Sequence, residues 1–486
     1  MRNDTIGYLH TANQKMLFVL GLVLCAGLAV LALPRRYALA PILAVACYVP
    51  FYGDALEIGP FHFTPIRVVI ALAVLRVFLR GEWLSIRMNG LDWTVFLWGT
   101  WNVTSGLLHA DPTGAVVLRL GVTYNVWGIY FPVRAFLRSS DDLTAMAKTL
   151  ALVLIPVAAE MVYEKFTVEN LFYSMAGTPI SPEIREGRIR ALGAFGHSIL
   201  GGTLGATSFP IVIGLWNTHR CLAMLGTAAC LTIVIASASS GPILSLASGV
   251  VGMLLWHCRQ SMRGLRWAAV ATYGALDVVM NDPAYFVLAR IDLAGGSTGW
   301  HRAELIRSSL QHLSEWWLYG TDRTRHWMPT GIPADPNHTD ITNHYLSMGV
   351  VGGLLQMALF IACLVLAFGY AGRIARPLID SVASRWLVWC CGAALAAHAA
   401  TFFSVAYFDQ SFVPLYLLLA TLGSAWSMSR DEHREREPSA SAGDGHGARQ
   451  ARAIADAPKF SDSYWKRRTS RIRCLRRKSS TNSARE

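Results

Sequence analysis

The chain has 486 residues, 53% of them hydrophobic and 15% charged, with a formal net charge of +12. Apolar runs long enough to cross a hydrocarbon core of ~30 Å recur along most of it. That excludes an ordinary soluble fold and predicts an all-α, polytopic membrane bundle of about 12-13 transmembrane helices with a large external loop. The basic excess does not indicate nucleic acid. Residues 430-486 hold 15 Lys and Arg against 8 Asp and Glu, a surplus of 7, and most of the remainder sits in short gaps between apolar runs.

In chain order, spans are expected near 16-33, 37-52, 62-79, 91-108, 114-136, 142-163, 196-216, 219-238, 240-256, 265-282, 345-370, 385-405 and 409-428. The first run is followed by Pro34-Arg35-Arg36 rather than a small-residue cleavage site, so it is expected to be retained. Arginines fall in every second gap: Arg35 and Arg36, Arg80 and Arg87, Arg134 and Arg138, Arg220, Arg259 with Arg263 and Arg266, then Arg373, Arg376 and Arg385. Positive loops face the cytoplasm, which leaves 164-195 and 282-344 as the two sizeable external loops. Residues 1-428 are then the transmembrane domain. The segment 429-486, rich in Arg, Ser, Gly and Ala, is expected to be a disordered basic cytoplasmic tail resting on anionic lipid.

Eight of the nine cysteines lie in or beside apolar runs, so neither disulfides nor a thiolate metal site is expected. The spans are nearly free of charge, with Arg119 and Glu160 as the main exceptions.

Chemistry is therefore sought at the external loops. Arg185, Arg188 and Arg190 stand just before a Gly-rich span that opens at His197. Guanidinium groups at a membrane surface suit a diphosphate, although they could equally anchor the helix end or pair with Glu183 and Glu186. The second loop carries a helix start near Gly299, with Arg302 as a further phosphate ligand and Arg307 pointing elsewhere. Its end, with Asp335, His338, Asp340, Asn343, His344 and Tyr345, leads into a span. A histidine there can act as a base, or can merely cap the helix. No i, i+4 histidine pair and no His-Glu-x-x-His occurs, so no metal or other cofactor is expected.

Over roughly residues 180-370 the chain resembles the O-antigen ligase and polysaccharide polymerase family of integral-membrane glycosyltransferases. The segments that carry the resemblance are Arg190 with Gly193, Phe195 and His197, then Arg302 in the large loop, then Thr342-Asn343-His344-Tyr345-Leu346 followed by Gly349, Gly352 and Gly353. Two positions depart from the pattern: Thr342 stands where the family has histidine, and Ser239-Ser240-Gly241 lacks the usual arginine.

The resemblance implies transfer of a glycan from a polyprenyl-diphosphate carrier to a sugar acceptor at the periplasmic face of a bacterial inner membrane, with neither nucleotide sugar nor metal. Membrane lipid and other polysaccharide export proteins are the implied partners. Arg190, Arg302 and His344 become the catalytic candidates, with Arg188, His197, His338, Asn343 and Tyr345 as substrate ligands. Both departures favour a polymerase over a ligase that delivers to lipid A core or protein. A polysaccharide or lipid-linked glycan transporter is the rival class, and would show paired halves, broken helices and ionisable groups near mid-membrane.

Overall fold

A computed structural model describes residues 19-51, 56-58, 61-290, 299-332, 336-375 and 382-432. A helix stands at each expected run: α1 Val19–Ala32, α2 Leu39–Tyr48, α3 Pro65–Leu79, α4 Gly90–Gly106, α5 Pro112–Phe136 and α6 Ser140–Thr167. After the short α7, Leu171–Met175, come α8 Ser198–Ile213, α9 Arg220–Ala236, α10 Ser240–Leu254 and α11 Met262–Val279. The loop that follows carries α12 Gly299–Gln311 and α13 Leu313–Trp316, and the chain ends its described part with α14 His344–Ile374, α15 Val382–Thr401 and α16 Phe412–Glu432. Among the described residues four helices, Ser140–Thr167, Ser240–Cys258, His344–Ile374 and Phe412–Glu432, are long and apolar enough to cross a membrane. An α-helix satisfies its backbone internally, which is why such runs fold this way in an apolar medium.

The chain divides by contacts into Met1–Arg430 and Asp431–Glu486, and beyond Glu432 the tail lies outside the described residues, as do Asp335 and the start of the first run. Sequence-encoded caps set several helix starts. Asn89 and Asp92 form a reciprocal capping box on α4, and Ser139 with Asp142 does the same on α6. The helix α8 packs against α9, α10 and α15, and a Cβ on Gly205 would lie 2.7 Å from the Cys230 carbonyl oxygen, so only glycine permits that approach.

Two short hairpins accompany the helices and leave the class predominantly helical: β1 Leu56–Ile58 pairs with β2 Phe61–Phe63 and β3 Glu183–Arg185 with β4 Arg188–Arg190. Two expectations are corrected. Glu164 belongs to α6 rather than to the loop after it. Nor are the helices nearly free of charge: Arg76, Asp92, Arg134 and Asp142 are buried alongside Arg119 and Glu160.

The loop between α11 and α14 has a small apolar core of its own, built from Leu305, Trp316, Trp327 and Met328 with Val350 of α14. It docks where α14 is broken. Gly352 and Gly353 leave helical geometry, the latter at φ 75°, ψ −174°, a region essentially closed to other residues. The loop satisfies the interrupted ladder: Thr321 N–H donates to the Val350 carbonyl at 2.9 Å and Leu354 N–H to that of Trp317 at 2.8 Å. Trp101 Nε1–H closes the Gly352 carbonyl at 2.7 Å, and Arg119 donates to that of Val351.

Candidate functional site

The hairpin β3–β4 is a cationic platform. Its register sets Glu183 opposite Arg190, Ile184 opposite Ile189 and Arg185 opposite Arg188. The connecting Glu186 and Gly187 have φ of 51° and 74°, the positive pair demanded by a two-residue hairpin turn of type I′. Because side chains alternate along a strand, Glu183, Arg185, Arg188 and Arg190 share one face and the two isoleucines the other. Arginines placed directly opposite one another repel, so this face concentrates positive charge beside Glu183.

The segment after the hairpin is held rigidly by side chains from elsewhere. Glu164 Oε2 accepts from the N–H groups of Leu192 and Gly193, both at 3.0 Å, and Asn170 Nδ2 donates to the Gly193 carbonyl at 2.8 Å. The Phe195 carbonyl accepts from Tyr173 Oη at 3.1 Å. Asp409 Oδ2 accepts from Gly196 N–H at 2.8 Å, and Gln410 Nε2 donates to the Ala194 carbonyl at 2.6 Å. Burial raises the Asp409 carboxyl above its ordinary value against the hydrogen bonds it accepts from Ser411 and Gly196.

At the near end of this anchored segment, Arg190 is 5% exposed. It donates to Glu183 Oε2 at 2.5 Å and to Ser239 Oγ at 2.7 Å, while its buried Nε has no partner. His197 caps α8 through Nδ1, which accepts from Ile199 N–H at 3.0 Å, and its Nε2 lies 3.8 Å from Glu183 Oε2.

Arg302 reaches the same neighbourhood from α12. It is half-buried, its Nε is a buried donor without a partner, and among the described residues no carboxylate pairs with it. The charge of Arg185 bears on Arg302, Arg190 and His197 together, so guanidinium groups from two separate loops share one electrostatic field. Burial, then Arg185, pushes the Arg302 pKa down. Burial lowers that of Arg190 more than Glu183 restores it, and burial followed by Arg190 holds His197 below its usual value, hence neutral at pH 7. Arg185 thus lies within electrostatic range of both loops, and Glu183 and Asp340 are the carboxylates that act on the same His197.

The other candidates divide. Arg188 is exposed on the platform, and His338 is partly exposed in the second loop, whose Asp340 also acts on His197. Asn343, His344 and Tyr345 turn inward instead. Asn343 is the N-cap of α14, its Oδ1 accepting from Leu346 N–H at 3.1 Å. Tyr345 Oη donates to the Ala399 carbonyl at 3.1 Å. His344 is 6% exposed, packed among Phe360, Phe402 and Tyr407. Its Nδ1 accepts from Tyr407 N–H at 3.2 Å, so the neutral ring carries its proton on Nε2 and has no free lone pair with which to act as a base. Of the two roles open to this stretch, base or cap, the geometry fits the cap, which Asn343 supplies beside the enclosed His344.

Residues not singled out from the sequence as site residues hold the segment in place: Glu164, Asn170, Asp409 and Gln410 anchor it. The signal for the hairpin was present, as Ile-Arg and Arg-Ile flanking a Glu-Gly pair is a strand-turn-strand pattern. Comparison of the chain with family models and with curated proteins returned no match, so the likeness to lipid-carrier glycosyltransferases stands on the short segments around Arg190, Arg302 and His344 alone.

Proposed function

We propose that the chain is a bacterial inner-membrane glycosyltransferase, a bundle of 12-13 spans. On this reading it uses the periplasmic loops 164-195 and 282-344 to grip a polyprenyl-diphosphate-linked glycan and extend a surface polysaccharide with it. The observation that carries this reading is Arg302, half-buried, unpaired and facing the field of Arg185 beside Arg190. A diphosphate would relieve that repulsion and supply the missing acceptors.

In the transfer, the acceptor hydroxyl oxygen bonds to the anomeric carbon while the bond from that carbon to the diphosphate breaks. The electron pair departs on the diphosphate, where Arg190, Arg302 and Arg185 stabilise it. Glu183 pairs with Arg190. Once a diphosphate has taken over Arg190, its carboxylate is free to receive the acceptor proton, and His197 Nε2–H is oriented to donate to a phosphate or sugar oxygen.

One feature favours the transporter reading: α14 is broken. Yet its freed groups are closed by Thr321, Trp317, Trp101 and Arg119, so the break seats a loop rather than lining a path.

The test is glycan analysis of a strain carrying Arg302→Ala. The variant is expected in the membrane at normal level with no high-molecular-weight polymer, and polymer of normal length would overturn the clamp. In a deletion strain, single repeats on the final acceptor identify a polymerase, whereas long chains left on the carrier identify a ligase.

A further inference from the structure

Beyond the clamp, the geometry points to a divalent transition-metal site formed by His312, Glu315 and His326, with zinc as its ligand and the folding of the α11–α14 loop as its role. One donor atom from each of these residues lies within 4.8 Å of the others. They come from two places in the chain. His312 and Glu315 are three apart across the start of α13, and His326 sits in the 3-10 turn Arg325–Trp327.

What separates this cluster from a chance meeting of polar side chains is the surrounding support. His312 Nδ1 is 2.9 Å from the Ser308 carbonyl, which fixes the proton on Nδ1 and leaves the Nε2 lone pair for a metal. Trp327 Nε1–H donates to Glu315 Oε2 at 3.0 Å, orienting the carboxylate, and its indole stacks on the His312 ring at 5.7 Å and 19°. His326 Nε2 lies 2.9 Å from Glu315 Oε2, so a metal would replace the proton those two groups now share.

Two imidazoles and a carboxylate suit zinc, whose bonds of about 2.0–2.1 Å require the donors to close to roughly 3.3 Å. The exposed side chains of Glu315 and His326 leave room for that movement and for a water in the remaining position. Such a metal would tie the end of α12, the helix that carries Arg302, to the turn at Trp327. It takes no part in the transfer, so this inference does not depend on the proposed reaction. The histidines weighed from the sequence, His338 and His344, are not members of this cluster.

The full chain purified in detergent, stripped with EDTA and titrated with zinc, is expected to bind about one equivalent and to melt at a higher temperature when loaded. His312→Ala and His326→Ala should lose that equivalent and the zinc-dependent shift. Trp327→Phe should bind roughly tenfold more weakly. Glu315→Gln, which changes only a half-exposed carboxylate, should weaken binding without disturbing the fold and provides the test should a histidine variant fail to fold. A wild-type chain that takes up no more zinc than Glu315→Gln or His326→Ala would overturn the site.

Discussion

Arg134 and Arg302 are both drawn out of water, under opposite terms. Arg134, at the end of α5, donates to Asp92 Oδ1 at 2.7 Å and Oδ2 at 2.9 Å, to Ser424 Oγ at 2.9 Å and to the Arg87 carbonyl at 2.9 Å. Arg302 has a buried Nε with no acceptor and a second arginine pressing on it. Arg119 belongs with Arg134, since it is taken up by Ser105, His109 and the Val351 carbonyl, and His109 in turn is held by Asp322. A charge inside a membrane protein invites a functional reading, but the number of partners it already has decides between holding the fold and holding a ligand.

The sharpest way to break this comparison is to remove one member of each kind. Arg134→Ala leaves Asp92 and Tyr130 facing a buried vacancy, and removing one partner of a buried pair costs about 3–5 kcal/mol. The variant should melt far below wild type in detergent or fail to accumulate in the membrane. Arg302→Ala removes a repulsive, unpaired charge and should melt at or above the wild-type temperature. Equal melting of Arg134→Ala and wild type would erase the distinction.

Ligand binding should invert that order. Loss of a charge-assisted hydrogen bond costs about 1.5–3 kcal/mol, so Arg302→Ala and Arg190→Ala should each weaken binding of a polyprenyl diphosphate roughly 10–100-fold. Arg302→Lys should retain part of the affinity, because an ammonium keeps the charge without the fork of parallel donors. Direct binding of the isolated carrier lipid to the purified variants measures this, and undiminished affinity in both alanine variants would remove the arginines from the site.

The helices were legible in the sequence because apolar runs of span length have few other ways to fold. The loops were legible only in part. Arg190 and Arg302 could be picked out from residue type and position, but nothing along the chain tells which arginine meets a carboxylate. The partners of Arg134, Asp92 and Ser424, are separated from it by 42 and 290 residues. His344 left base and cap both open for the same reason: its position beside a polar loop was visible, while the rings of Phe360, Phe402 and Tyr407 that enclose it come from α14 itself and from the chain beyond α15. The β3–β4 hairpin was missed because its strands are three residues long and lie in a segment read for charge rather than alternation.

A smaller effect tests whether the pinned segment serves Arg190. Glu164→Ala leaves the Leu192 and Gly193 N–H groups unsatisfied, at about 1–3 kcal/mol each by the usual cost of an orphaned buried donor. Glu164→Gln keeps an acceptor oxygen and should recover most of the stability. If the turn positions Arg190, Glu164→Ala should also weaken carrier binding while Arg302 is intact, and stability lost with binding unchanged would make Glu164 a purely structural anchor.

The smallest effect concerns His197 and joins the two kinds of charge. Its folded pKa lies below the ordinary 6.5, first through burial and then through Arg190. A histidine that binds its proton less well in the folded state than in the unfolded one contributes its full stability above about pH 6.5, and loses it as pH falls from there through the folded value. The melting temperature of wild type should therefore drop faster than that of His197→Asn between pH 6.5 and the acid limit of the measurement, with the two curves parallel above it. Arg190→Ala removes the second cause and should shallow that drop without abolishing it, because burial remains. Parallel curves for wild type and His197→Asn across the whole range would mean that the ring does not feel the arginine field, and would separate His197 from the proposed anion site of Arg190 and Arg302.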